Sequence, residues 1–240
     1  MELVTSRLPA EFDVTADHDA WPFFGYALLS RTTGTLDSVF RLQPTERGSD
    51  AMTLVRSLYE HIVHFAWLSA DPSAERIGQW RKHDLTERLK ADNDTQSVGV
   101  ELFTPAQRQN FEAQRDALPG ANSLVLANLA GEADDYWNGK VEGLQSRHQP
   151  RSFRGLYATA YRFQSGLAHP GERSLHPVVQ DVTARRKLVK VEDSFEGNGP
   201  YGMATTVYAL GLLVAEQSLG WPTNAEVNAV FQRGRGLIQS

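Results

Sequence analysis

The sequence predicts an all-α protein: a single domain over residues 1–240 that forms a bundle of six to eight helices. Three observations indicate this class. Helix-capping signals recur along the chain, apolar residues repeat at helical spacing, and only a short irregular or β-hairpin excursion near 178–192 interrupts the pattern. We place the core bundle at about 49–220, an N-terminal helix at 23–42 and a C-terminal helix at 223–236.

Composition fits a globular protein and excludes several kinds of site. Of the 240 residues, 41% are hydrophobic and 22% are charged, with a net charge of -5. The chain has no cysteine, which excludes disulfides, thiol nucleophiles and Cys-ligated metals, and fits a reducing compartment. We therefore expect a cytoplasmic protein. The start lacks the pattern of a signal peptide, and the longest apolar run, 208–215, is too short to cross a bilayer, so we expect no membrane partner.

The first two helices are predicted from composition and apolar spacing. Residues 23–42 suit a helix, although the run from Thr32 to Thr35 has poor helix propensity and leaves a break into two pieces open. Between residues 50 and 70, apolar side chains recur at steps of three and four and form one stripe: Leu54, Leu58, Ile62, Phe65 and Leu68. This stripe must face a core.

Capping signals predict the next two helices. Asp71 followed by Pro72 offers an N-cap oxygen and a proline at the first helical position, which predicts a helix over 72–92. Thr104 and Gln107 form a capping box that opens a second helix, ending near Leu118.

The C-terminal half is predicted to hold three more helices. A helix over 153–169 places four apolar residues on one stripe: Leu156, Ala160, Phe163 and Leu167. A helix over 203–219 is apolar almost all round, so we expect it to be central and the most buried. A capping box at Thr223 and Glu226 opens the last helix, and the alternation near 188–191 indicates the hairpin or extended arm.

The strongest chemical motif lies on the helix predicted over 153–169. Arg162 and His169 are seven residues apart, and seven steps of an α-helix return to within about 20° of one direction, so both can face one ligand. Tyr161 and Ser165 extend this polar edge. The helix ends before Pro170, where a cationic imidazole is favoured, and an arginine beside it suits a phosphate. Arg162 and His169 are the candidate catalytic residues, supported by Tyr161 and Ser165.

A structural role explains the same spacing equally well. Arg76 and His83 share it on a helix whose many charges indicate a solvated surface. The spacing alone therefore leaves a working site and ordinary hydrogen bonding both open.

The charge distribution indicates an anionic partner. Residues 147–190 contain nine basic and two acidic side chains, a local charge of +7, while the remainder of the chain carries -12. RNA or a nucleotide would suit such a segment, with four arginines as candidate anion-binding residues: Arg151, Arg154, Arg185 and Arg186. Alternatively, these arginines pair with acidic residues within the fold or across a homodimer.

A second constellation lies on the helix over 50–70. Arg56 and Glu60 are one turn apart and suit an intrahelical pair, and Glu60 is placed to orient Arg162 or His169 from a facing helix. We count Arg56 and Glu60 as supporting residues.

Motifs for metals and cofactors are missing from the sequence. It has no paired Glu-x-x-His, no His-Glu-x-x-His and no glycine-rich nucleotide loop, so we expect neither a metal nor a cofactor. Asp134-Asp135 has the composition of a loop.

Two family resemblances bear on these residues. The segment 54–60, Asp71-Pro72 and the spacing of Tyr161, Ser165 and His169 resemble a bacterial helical domain of unknown function, DUF5677, from about Ser49 to the C-terminal helices. The Arg-then-His helix is also similar to the HEPN superfamily, helical bundles that often dimerise and in active members cleave RNA without metal.

The HEPN resemblance implies a role for each residue. Arg162 would contact the phosphate and the transition state, and His169 would transfer the proton. HEPN nucleases usually have a polar residue directly after the arginine, where this chain has Phe163. This departure leaves binding without catalysis open beside cleavage.

Two functions follow as hypotheses. The first is a HEPN-like, metal-independent endoribonuclease or RNA- or nucleotide-binding protein that forms a homodimer. The alternative is a non-catalytic helical binding or interaction module in which Arg56, Glu60, Tyr161 and His169 form a buried polar network.

Overall fold

The computed structural model describes residues 20–42, 47–141, 144–145, 151–162, 179–183, 186–189 and 199–220. Within these ranges the chain forms a helical bundle with one antiparallel hairpin, which confirms the predicted all-α class. The α-helices are α1 (Ala20–Leu42), α2 (Gly48–Ala70), α3 (Ala74–Gln96), α4 (Pro105–Ala117), α5 (Leu126–Trp137), α6 (Phe153–Leu156) and α7 (Gly199–Leu219). A π-helix (Tyr157–Arg162) follows α6 directly, and the strands are β1 (Val179–Thr183) and β2 (Arg186–Val189). The helix predicted over 223–236 lies outside the described residues.

Helix α1 runs unbroken through its run of poor helix formers. The Thr32 and Thr33 hydroxyls donate to the Leu29 carbonyl oxygen at 2.7 and 2.8 Å. The Thr33 hydroxyl also lies 2.9 Å from the Tyr208 hydroxyl of α7. These bonds satisfy the buried hydroxyls within the helix and across to α7, so the break that the sequence left open does not occur.

Helix α2 is the centre of the bundle. It packs against α1, α5, α7 and the π-helix, whereas α7 packs mainly against α1 and α2. Among the described elements α2 therefore has more neighbours than α7, while α7 is buried on nearly all sides, as predicted for the helix over 203–219. Hydrophobicity indicates how much of a helix is buried but not how many elements cover it. Burial on α2 also extends beyond the predicted stripe, to Val55, Tyr59 and Trp67.

Helix α3 begins two residues later than predicted, because Ser73 is its N-cap. The Ser73 hydroxyl accepts a hydrogen bond from the Arg76 amide at 3.3 Å, while Asp71 accepts one from the Ser73 amide. The capping box of α4 is confirmed: Thr104 accepts from the Gln107 amide. Local sequence thus identified both helices correctly and the cap of one.

A buried carboxylate joins the end of α3 to α4. Asp92 is fully buried and accepts a hydrogen bond from Arg108 at 2.7 Å, together with the amides of Leu102 and Phe103. The loop between the two helices is therefore fixed at one point in the interior.

Helix α5 contains a pair that the sequence suggested was a loop. Asp134 and Asp135 lie within Leu126–Trp137, and Asp134 is fully buried. The loop interpretation is therefore wrong. Trp137, at the end of α5, donates from its indole nitrogen to the Ala66 carbonyl of α2 at 2.8 Å, which fixes α5 against the central helix.

The helix predicted over 153–169 is described as far as Arg162, and its first four residues, Phe153–Leu156, are α-helical. From Tyr157 to Arg162 it is a π-helix, whose i→i+5 hydrogen bonds change the angular step per residue. Leu156 and Ala160 are still buried, as their places in the predicted stripe require. The rest of the stripe lies outside the described residues.

The hairpin lies where the alternating segment indicated. Strands β1 and β2 pair antiparallel with Val179 opposite Val189, and the register shifts between Asp181 and Thr183. Among the described residues, none of the helices combines the length and apolar character needed to cross a bilayer.

Candidate functional site

Three tyrosines meet where α2 packs against the π-helix. The rings of Tyr157 and Tyr161 stack with their centres 5.3 Å apart and their planes 20° apart. The Tyr59 ring of α2 lies 6.5 and 6.1 Å from these two rings. The π-helix therefore presents a pair of parallel phenol rings against the central helix.

An arginine side chain packs against each ring of this pair. The Arg56 guanidinium lies 4.7 Å from the centre of the Tyr161 ring and donates to the Tyr161 hydroxyl at 3.2 Å. The Arg154 guanidinium lies 5.4 Å from the centre of the Tyr157 ring and also donates to the Ala127 carbonyl. We call these four residues the arginine–tyrosine stack. Cation–π contact and hydrogen bonding together hold both guanidinium groups in place.

Tyr59 anchors the stack from the interior. It is fully buried, and its hydroxyl donates to the Phe153 carbonyl oxygen at 2.7 Å. Burial raises the pKa of Tyr59 well above its usual range, and the nearby Asp134 carboxylate adds to this rise. Tyr59 is therefore a neutral structural donor and does not serve as a base.

The start of α6 is fixed by a carboxylate from α5. Asp134 accepts hydrogen bonds from the amides of Phe153 at 2.6 Å and Arg154 at 2.8 Å. The Ser152 hydroxyl accepts another from the Gly155 amide at 2.8 Å. These contacts satisfy amide groups that a helix start leaves unpaired. Sequence reasoning missed Asp134, because no local signal connects it with a helix that begins 19 residues later.

The supporting residues on α2 are partly rearranged from the prediction. Arg56 and Tyr161 come together as the predicted network requires. Glu60 is half-buried, and it makes no hydrogen bond or ion pair with the described residues. The expected intrahelical pair does not form, since Arg56 turns toward the phenol of Tyr161 instead.

The candidate catalytic pair is only partly described. Arg162 is exposed at the last position of the π-helix. Three of the predicted residues lie outside the described ranges: Ser165, His169 and Arg185. The shared face of Arg162 and His169 therefore stays a prediction. Of the other candidate anion-binding residues, Arg151 is exposed just before α6 and Arg186 begins β2.

Most arginines elsewhere in the described residues are paired with a carboxylate, and Arg31 and Arg81 are the exceptions. Six arginines elsewhere form ion pairs: Arg41, Arg47, Arg76, Arg88, Arg108 and Arg115. By contrast, Arg56, Arg151 and Arg162 make no ion pair with any carboxylate in the described ranges. Their positive charge is not neutralised by the part of the chain that is described, so an anion would be attracted there.

The described part of the chain contains no cluster of side chains suited to binding a metal ion. There, His, Asp and Glu side chains form no group of three or more that could hold a metal ion.

Comparison with known proteins identifies a family but no function. The model of a family of unknown function, DUF5677, matches residues 23–184, which is more than half of the chain. No curated protein and no solved structure matches.

Proposed function

We propose that this chain, which belongs to the DUF5677 family, binds RNA through the arginine–tyrosine stack and through Arg162 at the end of the same π-helix. The observation that carries the proposal is the Arg56 guanidinium, held against the Tyr161 ring at 4.7 Å without a carboxylate partner among the described residues. Arginines held in this way are typical of surfaces that bind phosphate groups.

The guanidinium of Arg56 retains most of its donors. A guanidinium has about five N–H donors in a planar fork, and the Tyr161 hydroxyl accepts from only one of its nitrogens. The others suit two oxygens of one phosphate. Because the ring already restricts the side chain, less rotamer entropy is lost when a phosphate binds.

Cleavage is the finer part of the proposal and follows the HEPN resemblance. The His169 imidazole accepts the proton of a ribose 2′-hydroxyl, and the freed oxygen attacks the adjacent phosphorus. The bond from phosphorus to the 5′-oxygen breaks, and that oxygen takes a proton from solvent, leaving a 2′,3′-cyclic phosphate and a 5′-hydroxyl. Arg162 stabilises the charge that builds on the phosphoryl oxygens, so no metal takes part.

We further propose that the active form is a cytoplasmic homodimer. The absence of cysteine supports a reducing compartment, and the HEPN resemblance supports pairing of two copies. Light scattering on the eluted chromatography peak measures the mass directly, and a value of one chain contradicts the dimer.

Binding and cleavage are tested separately. Fluorescence anisotropy of a labelled single-stranded RNA in EDTA measures binding, and gel analysis of the same sample detects cleavage. We expect cyclic phosphate ends, and a loss of about 100-fold or more in cleavage rate for His169→Ala with binding retained. Unchanged cleavage by His169→Ala contradicts its catalytic role, whereas RNA that does not bind at all contradicts the whole proposal.

The second candidate is a non-catalytic interaction module in which the stack is structural. It is favoured by the buried Tyr59, whose ring lies beside both tyrosines of the stack and whose hydroxyl donates to the Phe153 carbonyl oxygen. Under this candidate Arg56→Ala lowers the melting temperature and the protein does not bind RNA. An unchanged melting temperature for Arg56→Ala contradicts it.

A further inference from the structure

A cavity of about 320 Å³ lies between α1, α3 and α4, on different helices from the arginine–tyrosine stack. Three aromatic side chains line it: Phe24 from α1, Trp80 from α3 and Phe111 from α4. The Phe24 and Trp80 rings meet edge to face, with centres 5.3 Å apart and planes 74° apart. The cavity therefore offers aromatic surface from three separate helices, which suits the ring of a planar ligand.

The polar part of the lining comes from α3 and α4. Arg81 and Arg88 both line the cavity, since residues seven apart on an α-helix share one face. Asp84 also lines the cavity and is paired with Arg88, with Nε and Oδ2 2.8 Å apart, so this pair is neutral. Arg81 makes no ion pair with any carboxylate of the described ranges. One cation of the lining is thus left without a neutralising partner.

We propose that this cavity binds a small planar aromatic molecule that carries a carboxylate or a phosphate group. Its ring packs among Phe24, Trp80 and Phe111, and its anionic group forms an ion pair with the guanidinium of Arg81. The amide of Gln114, also in the lining, can accept or donate one hydrogen bond to the ring or its substituents.

Size and chemistry both limit this ligand. Small-molecule pockets commonly measure about 300 to 1,000 Å³, so this cavity suits a ligand at the small end of the range. A guanidinium binds carboxylate and phosphate through paired N–H donors. A neutral aromatic molecule would pack against the aromatic walls but would bring no anionic group to pair with Arg81.

The test follows the indole N–H resonance of Trp80 by NMR, identified by its loss in Trp80→Phe. The probes are adenosine 5′-monophosphate and indole-3-acetate, compared with the uncharged adenosine and indole-3-acetamide. We expect saturable shifts with the two anions, at concentrations up to about 5 mM, and binding at least tenfold weaker for each uncharged partner.

Matched arginine variants locate the anion. Arg81→Ala is expected to weaken binding of both anions at least tenfold, while Arg31→Ala, at an exposed arginine of α1 outside the cavity, leaves it unchanged. Both changes are at exposed side chains, so the fold is retained. The proposal is overturned if neither anion shifts the resonance, if the uncharged molecules bind equally well, or if Arg81→Ala binds like the unmodified chain. Arg56→Ala should not alter this binding, which keeps the test separate from RNA binding.

Discussion

The Asp134 carboxylate of α5 accepts a hydrogen bond from the backbone amide of Phe153 at 2.6 Å, across 19 residues of sequence. Its second oxygen accepts from the Arg154 amide at 2.8 Å. The segment that begins at Phe153 carries Tyr157, Tyr161 and Arg162. The start of the segment that supplies the tyrosines of the candidate site is therefore held by one buried carboxylate outside the site.

Removing this carboxylate should destabilise the protein strongly. Asp134→Ala leaves two amide donors of the α6 start without their acceptor, one of them buried, which costs about 2 to 4 kcal/mol in the free energy of unfolding. Asp134→Asn keeps one acceptor oxygen and should lose less. Urea unfolding measures both. Asp94→Ala, at an exposed position of α3, is the control and should change the free energy by no more than about 0.5 kcal/mol.

Replacing Arg56 should change how RNA binding depends on salt. Each phosphate contact to a single strand adds about 0.7 to the slope of log affinity against log salt concentration. Arg56→Ala should therefore lower that slope by about 0.7 and weaken binding at low salt. Anisotropy titrations over a salt series measure this. Arg41→Ala removes an exposed arginine that is paired with Asp37, and it should leave the slope unchanged. If the salt slope is the same for Arg56→Ala and the unmodified chain, Arg56 does not contact a phosphate of the RNA.

His64 should make stability depend on pH. Its Nδ1 atom is buried, with no hydrogen-bond partner among the described residues. Burial, with smaller contributions from His83 and His61, lowers the pKa of His64 from 6.5 to about 4. Between these values the unfolded chain binds the proton and the folded chain does not, so stability falls as pH drops through this window.

The size of this effect follows from the shift. This lowering of the His64 pKa decreases the free energy of unfolding by about 3 kcal/mol as the pH falls from 6.5 to 4. His64→Leu should remove this contribution, so its free energy of unfolding falls less steeply with acid than that of the unmodified chain. Urea unfolding at several pH values measures both curves. Parallel curves would contradict a neutral buried His64.

Two helical glycines should respond oppositely to alanine. A Cβ at Gly34 of α1 meets no atom within 4 Å, so Gly34→Ala should raise the free energy of unfolding by about 0.5 to 1 kcal/mol through helix propensity. A Cβ at Gly211 of α7 would lie 2.2 Å from the Ile62 Cδ1 atom of α2. Gly211→Ala should lower the free energy by about 1 to 2 kcal/mol, because the buried Ile62 must shift. Thermal unfolding of the two variants provides the comparison, and a stabilising Gly211→Ala would contradict the close contact of α2 and α7.

Local sequence predicted the features that neighbouring residues produce by themselves. The Thr104 and Gln107 capping box, the apolar spacing over 50–70 and the hairpin within 178–192 all involve residues a few positions apart. The Arg56 contact with Tyr161 was predicted only in outline, as members of one network. Its geometry joins residues 105 positions apart, so no local pattern specifies it.

By itself, the sequence determined that this chain is helical and where most of its helices begin, because capping and amphipathic spacing act within a few turns. Tertiary structure alone decided that α2 has the most neighbours among the described helices, that Asp134 caps Phe153 and that a π-helix presents Tyr161 to Arg56. Each of these depends on a partner brought close by packing, and the free energy of a buried hydrogen bond or stacked ring exists only once that partner is in place.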